Sequence, residues 1–157
     1  MASVSVGQKA PDFSLYDQSN KLRSLSEFAG KNVILAFYPG AFTGVCDTEM
    51  CKFRDSLDIL NNANAQTLGI SVDMPFTAKV FAQKYNLEFP LLSDYNRNVI
   101  RQYDLLLSNF AGLPGLDSTK RAVYLIDGDG VLRYMEITAT PHDEPDYTKL
   151  FDALKAL

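Results

Sequence analysis

The stretch Val33-Ile34-Leu35-Ala36-Phe37-Tyr38-Pro39-Gly40 decides the fold. Six consecutive apolar, mostly β-favouring residues sit between Gly30 and Pro39-Gly40, the pattern of a strand covered on both faces. Beyond Gly44 the period changes: Cys46, Met50, Phe53, Leu57 and Leu60 follow at steps of four and three, one face of an amphipathic helix. A second buried strand is predicted over residues 68–72. Strand, helix and strand in this order form a parallel unit with a right-handed crossover.

Working outward, residues 11–16 alternate weakly and read as a short edge strand, with a turn at 17–20. Asp73 is placed to cap a further helix with Pro75 in its first turn, carrying Phe76, Val80, Phe81 and Tyr85 inward. A short strand is expected over 89–92. A Gly- and Pro-rich segment, 108–120, leads to a third apolar strand over 122–126. Asp127-Gly128-Asp129-Gly130 then turns the chain back through 131–137 as a hairpin, so the sheet must be mixed. The final helix, 147–157, turns Leu150, Phe151 and Leu154 inward. A βαβ unit followed by a ββα unit is the skeleton of a thioredoxin-like fold, an α/β architecture with a mixed central sheet flanked by helices on both faces.

Composition narrows the function. The 157 residues are 46% hydrophobic and 22% charged, and no repeat or low-complexity linker interrupts them, so residues 1–157 are expected to form a single domain. A chain of this size buries about 68–70% of its unfolded surface and needs no structural metal or disulfide framework. Fifteen Lys and Arg against nineteen Asp and Glu leave a net charge of −4, which disfavours nucleic acid and anionic membrane as partners. The first residues lack the pattern of a signal peptide, and no apolar run approaches the roughly 20 residues of a membrane span. A cytoplasmic, reducing location is expected, where neighbouring cysteines are more often reactive or metal-binding than stapled.

Those cysteines are Cys46 and Cys51. Cys46 falls in the first turn of the helix that follows the buried strand, where free amides and the helix dipole favour a thiolate. Residue position alone is equally compatible with a small buried packing residue. Asp47 and Glu49 in the same turn would raise the thiol's pKa, so a nucleophile there needs a cation nearby. Thr43, three residues earlier, is available as a cap or as a hydroxyl aimed at whatever Cys46 attacks.

The pattern Pro39-x-x-x-Thr43-x-x-Cys46 matches every fixed position of the peroxiredoxin active-site signature. The opening Gly7-Gln8-Lys9-Ala10-Pro11-Asp12-Phe13, the strand end Phe37-Tyr38-Pro39 and the stretch Arg121-Ala122-Val123-Tyr124-Leu125-Ile126-Asp127 also resemble their counterparts in that family. The resemblance implies a thiol peroxidase on a thioredoxin fold, acting on hydrogen peroxide and organic hydroperoxides without a bound cofactor. Cys46 resembles the peroxidatic cysteine that becomes a sulfenic acid, and Thr43 the threonine that binds thiolate and peroxide. Pro39 resembles the proline that shields the thiol. Arg121 resembles the arginine that stabilises the thiolate and orients the peroxide.

On an ideal helix Cys51 lies about 140° round from Cys46, with the two Cα atoms roughly 8.6 Å apart, beyond the ~7 Å limit of an unstrained disulfide. The spacing resembles the bacterioferritin comigratory (peroxiredoxin Q) subfamily. That likeness implies that Cys51 resolves the sulfenic acid as an intramolecular disulfide after local unwinding, and that a thioredoxin-like protein reduces it. Residues 40–45 look more like the one-cysteine alkyl hydroperoxide reductase E type or the peroxiredoxin 5 group, which implies an external small thiol instead. A non-catalytic binding or holdase module and a redox sensor are the rival readings.

Other signals point to structure. The chain lacks Cys-x-x-Cys, and two cysteines with one distant His142 do not make a metal site. His142 reads as a solvated loop residue, and residues 127–130 as a turn without the later Glu of a calcium loop. The apolar Phe110, Leu113 and Leu116 in the Gly/Pro segment are expected at a homodimer contact near the active site.

Overall fold

The computed structural model describes residues 4–157, with the exception of the Cys46 side chain. Seven strands form one sheet: β1 (Ser14–Tyr16), β2 (Leu22–Ser24), β3 (Asn32–Phe37), β4 (Ala65–Ser71), β5 (Leu91–Ser93), β8 (Ala122–Ile126) and β9 (Leu132–Ile137), in the order β2-β1-β5-β4-β3-β8-β9. β3 pairs in parallel with β4 and antiparallel with β8, so the mixed sheet read from the sequence is present. β6 (Leu106–Leu107) and β7 (Ser118–Thr119) form a separate antiparallel pair.

Alternation along β3 divides the interior in two. Val33, Leu35 and Phe37 face a cluster completed by Val99 and Ile100 of α4 (Asn98–Gln102) and by Leu25 and Phe28 of a short 3₁₀ helix (Leu25–Phe28). Ile34, Ala36 and Tyr38 face Met50 and Phe53 of α1 (Val45–Asp55), Leu60 of α2 (Leu57–Asn62), Phe81 of α3 (Pro75–Tyr85) and Leu150 of α5 (Tyr147–Lys155). Buried on both faces, β3 has no position that water selects to be polar, which explains its unbroken apolar run.

Four expectations need correction. The strand at Ser14–Tyr16 is interior, because β2 pairs with it and forms the edge. The helix predicted from Cys46 to Leu60 is two helices: the Ser56 hydroxyl donates to Lys52 O at 2.8 Å, and the resulting bend leaves Leu57 exposed. In α3 the buried face is Ala78, Phe81 and Ala82, while Phe76 and Val80 are exposed and Tyr85 is half-buried. Asp73 does not cap α3; Met74 occupies the cap position.

Candidate active site

The C-terminal end of β3 meets the start of β8, since Phe37 is the register partner of Ala122. This pairing brings the loop after β3 beside the residue before β8, so Pro39 and Arg121 are drawn to one end of the sheet despite their separation in sequence. Pro39 is buried, and its carbonyl accepts the Ser118 hydroxyl at 2.6 Å. The loop also takes a fixed shape from α3's side. Asp73 Oδ2 accepts the Ala41 amide and the Ser71 hydroxyl, each at 2.8 Å. Thr43 Oγ1 donates to Gly40 O at 2.8 Å. Phe42 sits at φ 64°, a left-handed conformation uncommon for an aromatic residue, with its ring edge-on to Phe81 at 5.2 Å.

α1 begins after Gly44, whose φ of 85° few other residues adopt and which has no side chain of its own to cap the helix. Cys46 belongs to this first turn, and its side chain lies outside the described residues. Glu49, one turn further, is fully buried. Its Oε1 accepts from Arg121 Nη1 at 2.9 Å, and the guanidinium is itself only 1% exposed. Arg121 Nε also donates to Pro141 O at 3.0 Å. Removal from water dominates the Glu49 carboxyl and pushes its pKa up to about 7, against the pull of Arg121. The cation demanded by the acidic first turn is therefore present for Glu49. Asp47 has a different partner: the Tyr85 hydroxyl donates to its Oδ2 at 2.6 Å, while its Oδ1 is buried with no hydrogen bond among the described residues.

Cys51 is a half-buried free thiol. It lines a surface groove with Asp47, Lys52, Asp55, Tyr85 and Glu144. Burial pushes its thiol pKa up, Arg54 opposes the shift, and Asp55 and Asp47 add to it. Because α1 is continuous from Val45 to Asp55, the helical separation of positions 46 and 51 holds in this state. His142 is exposed, and among the described residues no cluster of His, Cys, Asp or Glu could hold a metal. Nor is any described helix long and apolar enough to cross a membrane.

Residues 6–135 match the model of the AhpC/TSA family. The chain belongs to this family. Similar proteins include the chloroplastic peroxiredoxin Q of Populus jackii, 41% identical over 132 residues that cover 84% of this chain. The chain spans only 60% of that plant relative's length. The putative peroxiredoxin bcp of Coxiella burnetii is 41% identical over 130 residues, covering 83% of this chain and 86% of the relative. Among solved structures, peroxidoxin BcpB from Mycobacterium tuberculosis superposes with a TM-score of 0.86 at 29% identity, covering 98% of both chains. A cysteine-to-serine mutant of Xylella fastidiosa PrxQ, at 21% identity and a TM-score of 0.86, shares the fold over 99% of this chain and 98% of its own. The family resemblance and the thioredoxin-like fold read from the sequence both hold.

Sequence reasoning named Pro39, Thr43, Cys46, Cys51 and Arg121 but missed Asp73 and Ser118, which fix the loop shape. Their hydrogen-bond partners in the loop are main-chain atoms, which leave no trace in residue type. One usable signal was available: Asp73 closely follows the end of β4, the parallel neighbour of β3, where α/β sheets present their loops.

Proposed function

We propose that this chain is a thiol-dependent peroxidase that reduces hydrogen peroxide and organic hydroperoxides at Cys46. The observation that carries the reading is the Arg121 guanidinium. It is buried at the end of β3 and held by Glu49, one helical turn beyond position 46. A cation in such a water-poor setting favours a thiolate and steadies the charge that develops as an O–O bond stretches. The Cys46 thiolate attacks the outer peroxide oxygen, an S–O bond forms as the O–O bond breaks, and the alkoxide leaves as an alcohol once protonated. Pro39 walls the thiol from bulk water, Thr43 offers a hydroxyl to thiolate and peroxide, and Arg121 orients the substrate.

The Cys51 thiol then attacks the sulfenic sulfur, releasing water and forming a disulfide that a thioredoxin-like dithiol reduces. Unwinding of the first turn of α1 must come first, and a helix opens at lowest cost at its terminal turn. A second reading draws on the raised pKa of Cys51, which keeps it protonated and slow at neutral pH; there an external small thiol resolves Cys46. A reducing compartment such as the cytoplasm and a homodimer contact at the exposed Leu113 and Leu116 belong to the same proposal.

Stopped-flow peroxide consumption tests the reading. Cys46→Ser should abolish the fast phase and Cys51→Ser should retain it. Mass spectrometry of the peroxide-treated protein separates the resolution routes: a Cys46–Cys51 disulfide supports the first, and Cys46 sulfenic acid beside a free Cys51 thiol the second. Peroxide consumption unchanged in Cys46→Ser would overturn the whole reading.

A further inference from the structure

Glu49 is used only in part by the mechanism above. Its Oε1 meets Arg121, whereas Oε2 is buried with no hydrogen-bond partner among the described residues. An ionised carboxylate with a bare oxygen in the interior loses hydration that nothing replaces, a cost relieved when the group is protonated. Glu49 also follows Cys46 by three residues in α1, and residues three apart share a helix face. On the peroxidase reading, a thiolate and a carboxylate would then share one buried guanidinium. Two anions against one cation leave net negative charge in a low-dielectric site, and acids so placed retain a proton between them.

The groups facing Glu49 from neighbouring elements act in the same direction. Glu136 of β9 and Glu144, in the loop before α5, add negative potential, and among the described residues Arg121 opposes them. Tyr147 of α5 faces Glu49 as a neutral phenol, but its hydroxyl donates to Glu144 Oε1 at 2.8 Å and so does not solvate the Glu49 charge. The upward shift of the Glu49 carboxyl to about 7 agrees with this arrangement.

We infer that Glu49 is the proton reservoir of the peroxide step, protonated while Cys46 is a thiolate and ionised once Cys46 has become a sulfenic acid. This inference rests on the peroxidase reading. The step balances: Cys46 thiolate, protonated Glu49 and ROOH give Cys46 sulfenic acid, Glu49 carboxylate and ROH. The S–O bond forms, the O–O bond breaks, sulfur is oxidised by two electrons as the peroxide is reduced, and the alkoxide takes up the proton that Glu49 releases. Arg121 then keeps one anion to balance before the step and one after it.

Infrared spectroscopy of the reduced protein near neutral pH, with isotopically labelled glutamate carboxyls, reads the group without turnover. The expected result is a carboxylic-acid C=O band that shifts with the label, disappears on peroxide treatment and is missing in Glu49→Gln. No such band, or one that survives oxidation, overturns the inference. Glutamine keeps an oxygen for Arg121 but carries no charge. Because Glu49 is already neutral while Cys46 is a thiolate, the thiol pKa of Cys46 in Cys51→Ser/Glu49→Gln should stay close to that in Cys51→Ser. A thiol pKa lower by about one unit or more in the Gln variant would show an ionised carboxylate beside the thiolate and also overturns the inference. The acid band in the reduced protein together with no peroxide consumption and no oxidation of Cys46 would count against the peroxidase reading alone.

Discussion

Asp73 Oδ2 receives the Ala41 amide at 2.8 Å, and through this one carboxylate the segment leading into α3 fixes the loop that leads into α1. The same oxygen takes the Ser71 hydroxyl, so its orientation is set twice. Asp73→Ala should free both donors, lower stability by about 1–3 kcal/mol in urea unfolding and, on the proposed peroxidase activity, reduce kcat/KM several-fold. Asp73→Asn, which keeps one acceptor, should recover part of both losses.

Glu49 makes stability depend on pH with an unusual sign. Its pKa lies near 7 in the folded chain and near the ordinary carboxylate value in the unfolded one, so the folded state binds the extra proton between these limits. Stability from this group is therefore greatest below the unfolded pKa and falls as pH rises toward 7, by about 3 kcal/mol in all. Thermal unfolding followed from pH 4.5 to 7 should show this decline, and Glu49→Gln should flatten it.

Gly69 has no room for a methyl group. A Cβ there would stand 2.8 Å from Leu91 Cδ2 and 3.2 Å from the Tyr38 ring. Gly69→Ala should destabilise by about 1–3 kcal/mol, and an unfolding midpoint equal to wild type would show that the two neighbours yield freely.

Phe76 and Phe81 lie on opposite faces of α3. Phe81 is completely buried and touches the rings of Tyr38, Phe42 and Tyr85, whereas Phe76 is 66% exposed. Phe81→Ala should cost about 3–5 kcal/mol, and Phe76→Gln should stay within about 0.5 kcal/mol of wild type.

The Cys51 thiol is held above the ordinary thiol range by burial, with Asp55 and Asp47 adding to it against Arg54. In Cys46→Ser, the rate of alkylation at Cys51 should keep climbing at pH values where an unshifted thiol has levelled off. Titration with iodoacetamide checks this, and an early plateau would contradict it.

The parts of the molecule legible in the sequence were those set by periodicity. β3 was plain because burial on both faces admits only apolar residues, and α5 because Leu150, Phe151 and Leu154 fall on one stripe. The inward face of α3 was misread for the opposite reason: bulky Phe76 and Val80 suggested a core, but small Ala78 and Ala82 allow the helix to sit close to the sheet. Pro39, Thr43 and Cys46 were singled out by a spaced motif and Arg121 by the resemblance of the 121–127 stretch, and the demand for a cation came from the charges of Asp47 and Glu49. Asp73 and Ser118 stayed hidden because main-chain acceptors and donors look alike under every residue.

The far end of the sheet offers a practical opening. Gly30 N donates to Gly128 O at 3.0 Å before β3 begins, and the turn tip Asp129 is exposed. The whole of β3, about 20 Å of strand, separates this tip from the Pro39 loop. A dye, affinity handle or surface tether attached at Asp129 should therefore leave the proposed peroxide chemistry undisturbed, whereas bulk at Gly128 itself would press on the Gly30 backbone.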